Sequence, residues 1–337
     1  MSATTPSTPS PVVAGSAPAG SLAYLPVSLY GSVMGLCGLA LAWRLAATVF
    51  GVPPWIGEAL GVASVVVFVV MTVAYSIKCA SAPAAVRAEF NHPIAANFFG
   101  GFNISLLLLP AVLAPYVPWL AAVLWWIGAV LMIGFAWVIV NRWMSVRQQV
   151  AHATPAWIVP VVGTLDIPIA GIPLGLPGSH AVSLFALSVG LFFAVPLFTM
   201  ILSRLIFEEP LPQGLQPSLL ILVAPFAVGF SAYLNVAGQI DLFAYALFYL
   251  GLFMFAVLLP KLLSLPACCP FRVSWWAVGF PIAALAIASL KVAARMNSWP
   301  AQWLAAILLG AVSLLFLVLA WRTLAGIARG ELRTLTL

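Results

Sequence analysis

Charge is what this sequence has least of. Only 6% of its 337 residues are Asp, Glu, Lys or Arg, whereas 64% are hydrophobic. A soluble domain of average composition carries about 25% charged residues. The composition therefore excludes an ordinary soluble globular protein and predicts a protein that crosses the lipid bilayer several times.

Side chains that carry chemistry are also scarce. No CxxC pair and no Cys/His cluster with zinc spacing is formed by Cys37, Cys79, Cys268 and Cys269. We therefore expect four free thiols and neither a metal site nor another cofactor. The three histidines and seven acidic residues do not converge on one segment, which argues against an enzyme. The net charge of +6 does not require a nucleic-acid partner, because basic residues in so apolar a chain mark cytoplasmic loops.

Ten apolar segments are long enough to cross a bilayer. We number them spans 1 to 10 and predict their bounds at 26–49, 56–77, 94–113, 118–140, 156–173, 180–203, 217–236, 241–260, 274–292 and 300–321. The short connections predict antiparallel helical hairpins. Residues 1–22 carry no charge and are rich in Ser, Thr, Pro, Ala and Gly, which predicts a disordered tail. One transmembrane domain over 23–325 and a short tail over 326–337 complete the predicted organisation.

The basic residues predict how the spans are oriented. If the N-terminus lies in the cytoplasm, ten of the 13 Lys and Arg residues fall in cytoplasmic loops or in the C-terminal tail. The other three are Arg44, Lys291 and Arg295. Because cytoplasmic loops are enriched in Lys and Arg, we expect a multi-pass protein of the cell (inner) membrane with both termini in the cytoplasm.

Proline is distributed unevenly between the spans. Away from the segment ends it occurs once in the even spans, at Pro196, and five times in the odd spans, at Pro110, Pro160, Pro168, Pro225 and Pro281. Proline bends a membrane helix, and the carbonyl that it frees needs protein or water. The pattern predicts that odd spans line a central axis and even spans face lipid, although Gly and Pro are common in membrane helices generally.

Five stretches resemble, in order, the first helix, the loop into the third helix, and the fifth, seventh and ninth helices of the tellurite-resistance/dicarboxylate-transporter family. This family includes TehA-type bacterial proteins, plant slow-type anion channels, and fungal malate and sulfite transporters. The stretches are LPVSLYGSVMGLCGLALAW at 25–43, VRAEFNHPIAANFF at 86–99, TPAWIVPVVGTLDIPIAG at 154–171, SLLILVAPFAVGFSAYLN at 218–235 and VSWWAVGFPIAALAIASL at 273–290.

The resemblance implies an all-α fold of ten transmembrane helices, arranged as five hairpins around a central pore. Odd helices are inner and kinked, and even helices are outer. It further implies a homotrimer with one pore per subunit, and small inorganic anions or dicarboxylates as substrates. The phenylalanine that plugs the pore in this family corresponds to Phe280.

The residues around Phe280 suggest how such a plug is placed. We expect Pro281 to kink span 9 and Gly279 to bring its backbone close to the axis, so that the ring points across the pore. The alternative is that Phe280 is ordinary packing. Further candidates for the pore lining are Met34, Gly35, Asn103, Gly163, Asp166, Pro168, Pro225 and Gly229. Four basic residues are expected at the cytoplasmic mouth, where they attract anions or only set the topology: Lys78, Arg87, Arg142 and Lys261.

Asp166 is the one acidic residue well inside a predicted span. A charged Asp at the centre of a membrane helix is unfavourable by about 3 kcal/mol or more. Three interpretations remain open. The carboxyl group accepts hydrogen bonds from amides freed near Pro168, or it lines the pore and repels anions, or it titrates and couples proton movement to transport.

These patterns predict membrane transport of small anions through a central pore that a phenylalanine occludes. The alternative is a proton-coupled C4-dicarboxylate or sulfite carrier of the same family. The sequence leaves the physiological anion, the direction of transport and the gating signal open.

Overall fold

The structure, a computed structural model, describes residues 22–336, so all but the last residue of the predicted tail over 1–22 lies outside it. All regular secondary structure in the described residues is helical, which confirms the all-α class. Ten helical segments are long and apolar enough to cross a membrane, as predicted. They are Val27–Phe50, Trp55–Ser81, Ala95–Leu113, Pro118–Ser145, Pro155–Leu174, Ser179–Phe207, Gln213–Ala237, Leu242–Cys268, Val273–Met296 and Trp299–Ala328.

Odd and even spans differ in their helical type. Each even span is one continuous α-helix of 27 to 30 residues. Each odd span begins as a 3₁₀-helix and continues as an α-helix, and span 5 contains a second 3₁₀ turn at Gly163–Asp166. In span 9 the change falls between Val278 and Gly279, directly before Phe280. A 3₁₀ stretch is wound more tightly than an α-helix, so each odd span carries a built-in irregularity.

The odd spans are also the more buried ones. Between 50% and 78% of the residues in the apolar stretch of each odd span are buried, against 22% to 33% in the even spans. Consecutive spans pack against each other, as spans 1 and 2, 3 and 4, and 9 and 10 do. The even spans therefore form most of the apolar outer surface, and the odd spans form the interior.

The even spans hold more proline than the sequence predicted. Span 8 continues eight residues beyond its predicted end and includes Pro260 and Pro266 within its α-helix. A membrane helix tolerates proline where its neighbours satisfy the freed carbonyls. The predicted contrast in proline content is therefore weaker than expected, whereas the contrast in helical type and burial is clear.

Two of the four cysteines are not free thiols. Cys268 and Cys269 are joined by a disulfide, while Cys37 and Cys79 are free. Span 8 ends at Cys268, and Cys269 has an extended backbone with φ −137° and ψ 127°. This change of backbone conformation at the helix end brings adjacent sulfur atoms together, which the sequence spacing did not predict.

Spans 1, 9 and 10 meet around the ring of Phe316. A Cβ atom at Gly35 would lie 2.5 Å from this ring, and one at Gly279 would lie 2.7 Å from it. The ring also packs edge-on against Trp276, with 5.6 Å between ring centroids. Two glycines thus let an aromatic side chain of an outer span fit between two inner spans.

A network of buried polar groups holds the start of span 1. Glu89, on the short helix between spans 2 and 3, accepts hydrogen bonds from the Val27 amide at 2.7 Å and the Tyr75 hydroxyl at 3.0 Å. It also pairs with the Lys78 ammonium at 2.6 Å, and Lys78 donates to the Leu25 carbonyl at 2.6 Å. We call these five residues the Glu89 clamp.

Candidate functional site

Three cavities follow one another through the interior of the bundle. We call the end of the bundle where odd spans begin the near end, and the opposite end the far end. The near, middle and far cavities have volumes of about 230, 60 and 510 Å³. Ser28, Phe98 and Ala277 line both the near and the middle cavity. The near and middle cavities are therefore adjacent, and the far cavity continues the row on the other side of the middle cavity.

The middle cavity is lined by the odd spans. Each of the five odd spans contributes side chains, among them Met34, Ile104, Val162, Ile221 and Phe280, and every described residue in its lining belongs to an odd span. The far cavity is lined by the C-terminal halves of the same spans and by the loop after span 3. The odd spans therefore run in the same direction around one axial row of cavities.

Phe280 lies at the boundary between the middle and far cavities. Only Asp166, Val228 and Phe280 belong to both described linings. The Phe280 side chain is 8% exposed, and its ring lies against Gly38, where a Cβ atom would be 3.5 Å from Cδ2. The largest side chain at this boundary is thus an aromatic ring beside a glycine.

Asp166 ends the 3₁₀ turn Gly163–Asp166 and is 2% exposed. Its Oδ1 atom is buried and accepts no hydrogen bond from any residue in the range 22–336. The carbonyls of Pro168 and Ile169 instead accept from the Asn235 amide at 3.1 and 3.2 Å. Asp166 is also the N-cap residue of the helix Ile167–Leu174, and its side chain makes no capping hydrogen bond there, so the interpretation of Asp166 as a partner of freed amides is wrong.

The far cavity contains two basic side chains. Arg44 is paired with Glu58 at 2.7 Å and donates to the carbonyls of Ala111 and Val112. Lys291 makes no ion pair and no hydrogen bond with any residue that the structure describes. One uncompensated ammonium group therefore faces this cavity.

The near cavity is electrically different. Its one acidic side chain, Glu89, is compensated by Lys78 in the Glu89 clamp. Desolvation and the charge of His152 hold the pKa of His92 below its usual value. The Nδ1 atom of His92 accepts from the amides of Ile94 and Ala95 at 3.2 and 3.1 Å, which requires the neutral ring. The near cavity therefore carries no uncompensated charge at neutral pH.

The model of the voltage-dependent anion channel family matches residues 24–324 of this chain. The chain belongs to this family. It is 29% identical to S-type anion channel SLAH3 of Arabidopsis thaliana, over 89% of this chain and 48% of the relative. It is 26% identical to the guard cell S-type anion channel SLAC1 of the same plant, over 83% and 52%. The tellurite resistance protein TehA homolog of Haemophilus influenzae is 26% identical, over 78% and 79%.

These matches confirm the family predicted from the five sequence stretches. The chain spans about half the length of the plant relatives.

No group of three or more His, Cys, Asp or Glu within residues 22–336 is placed to hold a metal ion.

Three of the predicted pore-lining candidates, the predicted gate and the predicted kink proline lie in the lining of the middle cavity. They are Met34, Gly163, Asp166, Phe280 and Pro281. Pro281 lies in the first turn of the α-helical part of span 9, next to the change from 3₁₀-helix to α-helix. The structure thus brings the predicted plug and the predicted acid together at one boundary.

Six other predicted residues line none of the three cavities. Gly35 and Gly279 face the Phe316 ring, so Gly279 admits an outer side chain and does not face the axis. Asn103 donates to the Leu131 carbonyl of span 4 at 3.4 Å. The other three are Pro168, Pro225 and Gly229.

The four basic residues expected at the mouth also line none of the three cavities. Lys78 is 3% exposed and held in the Glu89 clamp. Arg142 donates to the Phe90 carbonyl at 2.8 Å and stacks over its ring, beside a separate cavity. Arg87 and Lys261 are exposed at the surface. None of these four charges therefore faces the row of cavities, because two of the side chains are bound within the protein and the other two are exposed at its surface.

Lys291 is the functional candidate that sequence reasoning missed. It follows Phe280 by eleven residues, which is close to three α-helical turns and places both residues on one face. This spacing could have indicated from the sequence that Lys291 faces the same interior as Phe280. The indication was overlooked because basic residues near the end of a span are usually explained by the orientation of the span in the membrane.

Proposed function

We propose that this protein conducts small inorganic anions across a membrane through the near, middle and far cavities, and that Phe280 obstructs the path. The observation that carries the proposal is that Phe280 lines both the middle and the far cavity. The family and the names of its relatives as anion channels support the class of substrate.

The obstruction acts by excluding water. The middle cavity is small and mainly apolar, and Ile104, Val162 and Val228 line it together with Phe280. An ion that loses its hydration shell in such surroundings is destabilised by several kcal/mol, even after the protein relaxes. Rotating the ring toward the larger far cavity would connect the two volumes without moving a whole helix.

Planar-bilayer recording of purified protein in symmetrical chloride or nitrate tests this role. We expect Phe280→Ala to raise the single-channel conductance at least tenfold over the unaltered protein, and Phe280→Leu to raise it less. The matched control is Phe253→Ala on span 8, because Phe253 is 64% exposed on the outer surface. It should leave the conductance unchanged.

Equal conductance in the Phe280→Ala variant and the unaltered protein, both well folded, would contradict the plug. A current proportional to voltage supports a channel. A flux that saturates with substrate and requires a proton gradient would favour the proton-coupled carrier instead.

Orientation and assembly belong to the same proposal. The near end, with ten of the 13 Lys and Arg residues, faces the cytoplasm of a cell whose inner membrane holds the protein. The even spans expose broad apolar surfaces to lipid and to neighbouring subunits of a homotrimer. Reporter fusions at the two termini and the mass of the detergent-solubilised particle examine these two points separately.

A further inference from the structure

The far and near cavities differ in whether their charged side chains have a partner. In the far cavity Arg44 is neutralised by Glu58, whereas Lys291 has no partner among the described residues. In the near cavity Glu89 is neutralised by Lys78, and the ring of His92 is neutral. Apart from Asp166 at the constriction, Lys291 is thus the one uncompensated charge that faces the described parts of the row.

The position of Lys291 decides where this charge acts. Eleven residues of α-helix separate Lys291 from Phe280, a rise of about 16 Å along span 9. Asp166 shares the far cavity but lies at its inner boundary beside Phe280. Lys291 is therefore attached to span 9 farther from the constriction than Asp166, and an anion arriving from the far end meets Lys291 before it meets Asp166.

We propose that the far cavity is an anion-capture site in which the Lys291 ammonium attracts a small hydrated inorganic anion before it reaches Phe280. This inference rests on the proposed function and identifies the side from which anions are concentrated. The near cavity passes anions without concentrating them. The sequence had placed this role on basic residues at the near end, where the structure shows pairing or exposure.

The size of the effect follows from Coulomb's law. A unit charge about 6 Å from an anion in water raises the local anion concentration about threefold at 25 °C. Apolar cavity walls strengthen the effect, and 1 M salt removes most of it, because the screening length falls to about 3 Å. The effect should therefore be largest at low ionic strength.

The test measures anion entry from each side in cells that express Phe280→Ala protein, because all copies there share one orientation. We expect Lys291→Gln to lower the chloride or nitrate current that enters from the far end about threefold at low ionic strength. Current entering from the near end should change much less, and Lys291→Arg should retain the original value.

Arg295→Gln is the matched control. It removes the same charge from the same end of span 9, but Arg295 is exposed and lines none of the three cavities. The inference is overturned if Lys291→Gln behaves like Arg295→Gln, or if it lowers current equally from both sides. If Phe280→Ala protein carries no anion current at all, the proposed function has failed.

Discussion

At the scale of single residues, Asp166 is the least expected feature of the row of cavities. It lies beside Phe280 in both cavity linings, yet no described residue donates a hydrogen bond to its Oδ1 atom. A negative charge there opposes anion passage, whereas a neutral carboxyl group does not. Two of the three interpretations from the sequence therefore remain, repulsion of anions and proton coupling.

Asp166→Asn in the Phe280→Ala background distinguishes these two interpretations from an inert role. If the ionised carboxylate repels anions, current in the parent variant falls as the pH rises through the titration of Asp166. The Asn variant should then show a flat pH profile and at least the current of the parent at its most permissive pH. The measurement is chloride conductance between pH 5 and 9.

Asp241→Asn serves as the control for this pH profile. Asp241 is the N-cap residue of span 8, where it accepts from the Ala244 amide at 3.0 Å, and it lines none of the three cavities. Its variant should keep the parental profile. A pH profile that Asp166→Asn leaves unaltered would remove both remaining interpretations.

At the scale of elements, spans 1, 9 and 10 pack closely because Gly35 and Gly279 have no side chain where they meet the Phe316 ring. A methyl group at Gly279 would lie 2.7 Å from Phe316 Cζ, well inside van der Waals contact. We expect Gly279→Ala to lower the free energy of unfolding by about 1–3 kcal/mol, because overpacking forces shifts in a well-packed interior. Unfolding in mixed micelles, followed by tryptophan fluorescence, measures the change.

Gly310→Ala on span 10 is the matched substitution, because nothing lies within 4 Å of a Cβ atom there. It should cause no loss of stability. Phe316→Leu combined with Gly279→Ala should recover part of the loss, since the smaller side chain frees the space. Equal stability of Gly279→Ala and Gly310→Ala would show that the packing of these spans relaxes easily.

The Glu89 clamp joins three elements at the near end. Glu89 and Lys78 are 12% and 3% exposed at the side chain, so removing one partner leaves a poorly hydrated charge. We expect Glu89→Ala to lower the free energy of unfolding by about 3 kcal/mol. The double variant Glu89→Leu with Lys78→Met should recover most of the lost free energy of unfolding, because an apolar pair leaves no buried charge.

Glu208→Ala provides the comparison, because Glu208 is exposed at the end of span 6. The same unfolding measurement should show little change for it. A Glu89→Ala variant as stable as Glu208→Ala would mean that the start of span 1 is held by apolar packing alone.

At the scale of the whole molecule, the sequence predicted the number of spans and their approximate places. Nine of its ten segments begin within two residues of the observed spans, and the seventh begins four residues early in the structure, as the 3₁₀-helix from Gln213. Apolar length alone suffices for this, because the bilayer sets a minimum length for every crossing helix. The last turns of the even spans were missed, since helices continue beyond the hydrocarbon layer.

The cavity linings were predicted only in part, for a related reason. A helix in an apolar bundle is hydrophobic on all sides, so its sequence lacks the polar face that would reveal its rotation. Phe280 was found through the family resemblance, and Asp166 because a charge inside a span is conspicuous. Gly35 and Asn103 were predicted to line the pore, yet they contact neighbouring spans, and the sequence carries no signal of helix rotation that would have shown this.

The sequence by itself determined that this chain is a ten-span membrane protein of the voltage-dependent anion channel family and that Phe280 and Asp166 are central candidates. Only the tertiary structure decided which charges remain uncompensated. Lys78 meets Glu89 and Arg44 meets Glu58, whereas Lys291 meets none of the described residues. The physical reason is that a charge is neutralised by its neighbours in space, and spacing along the chain does not specify those neighbours.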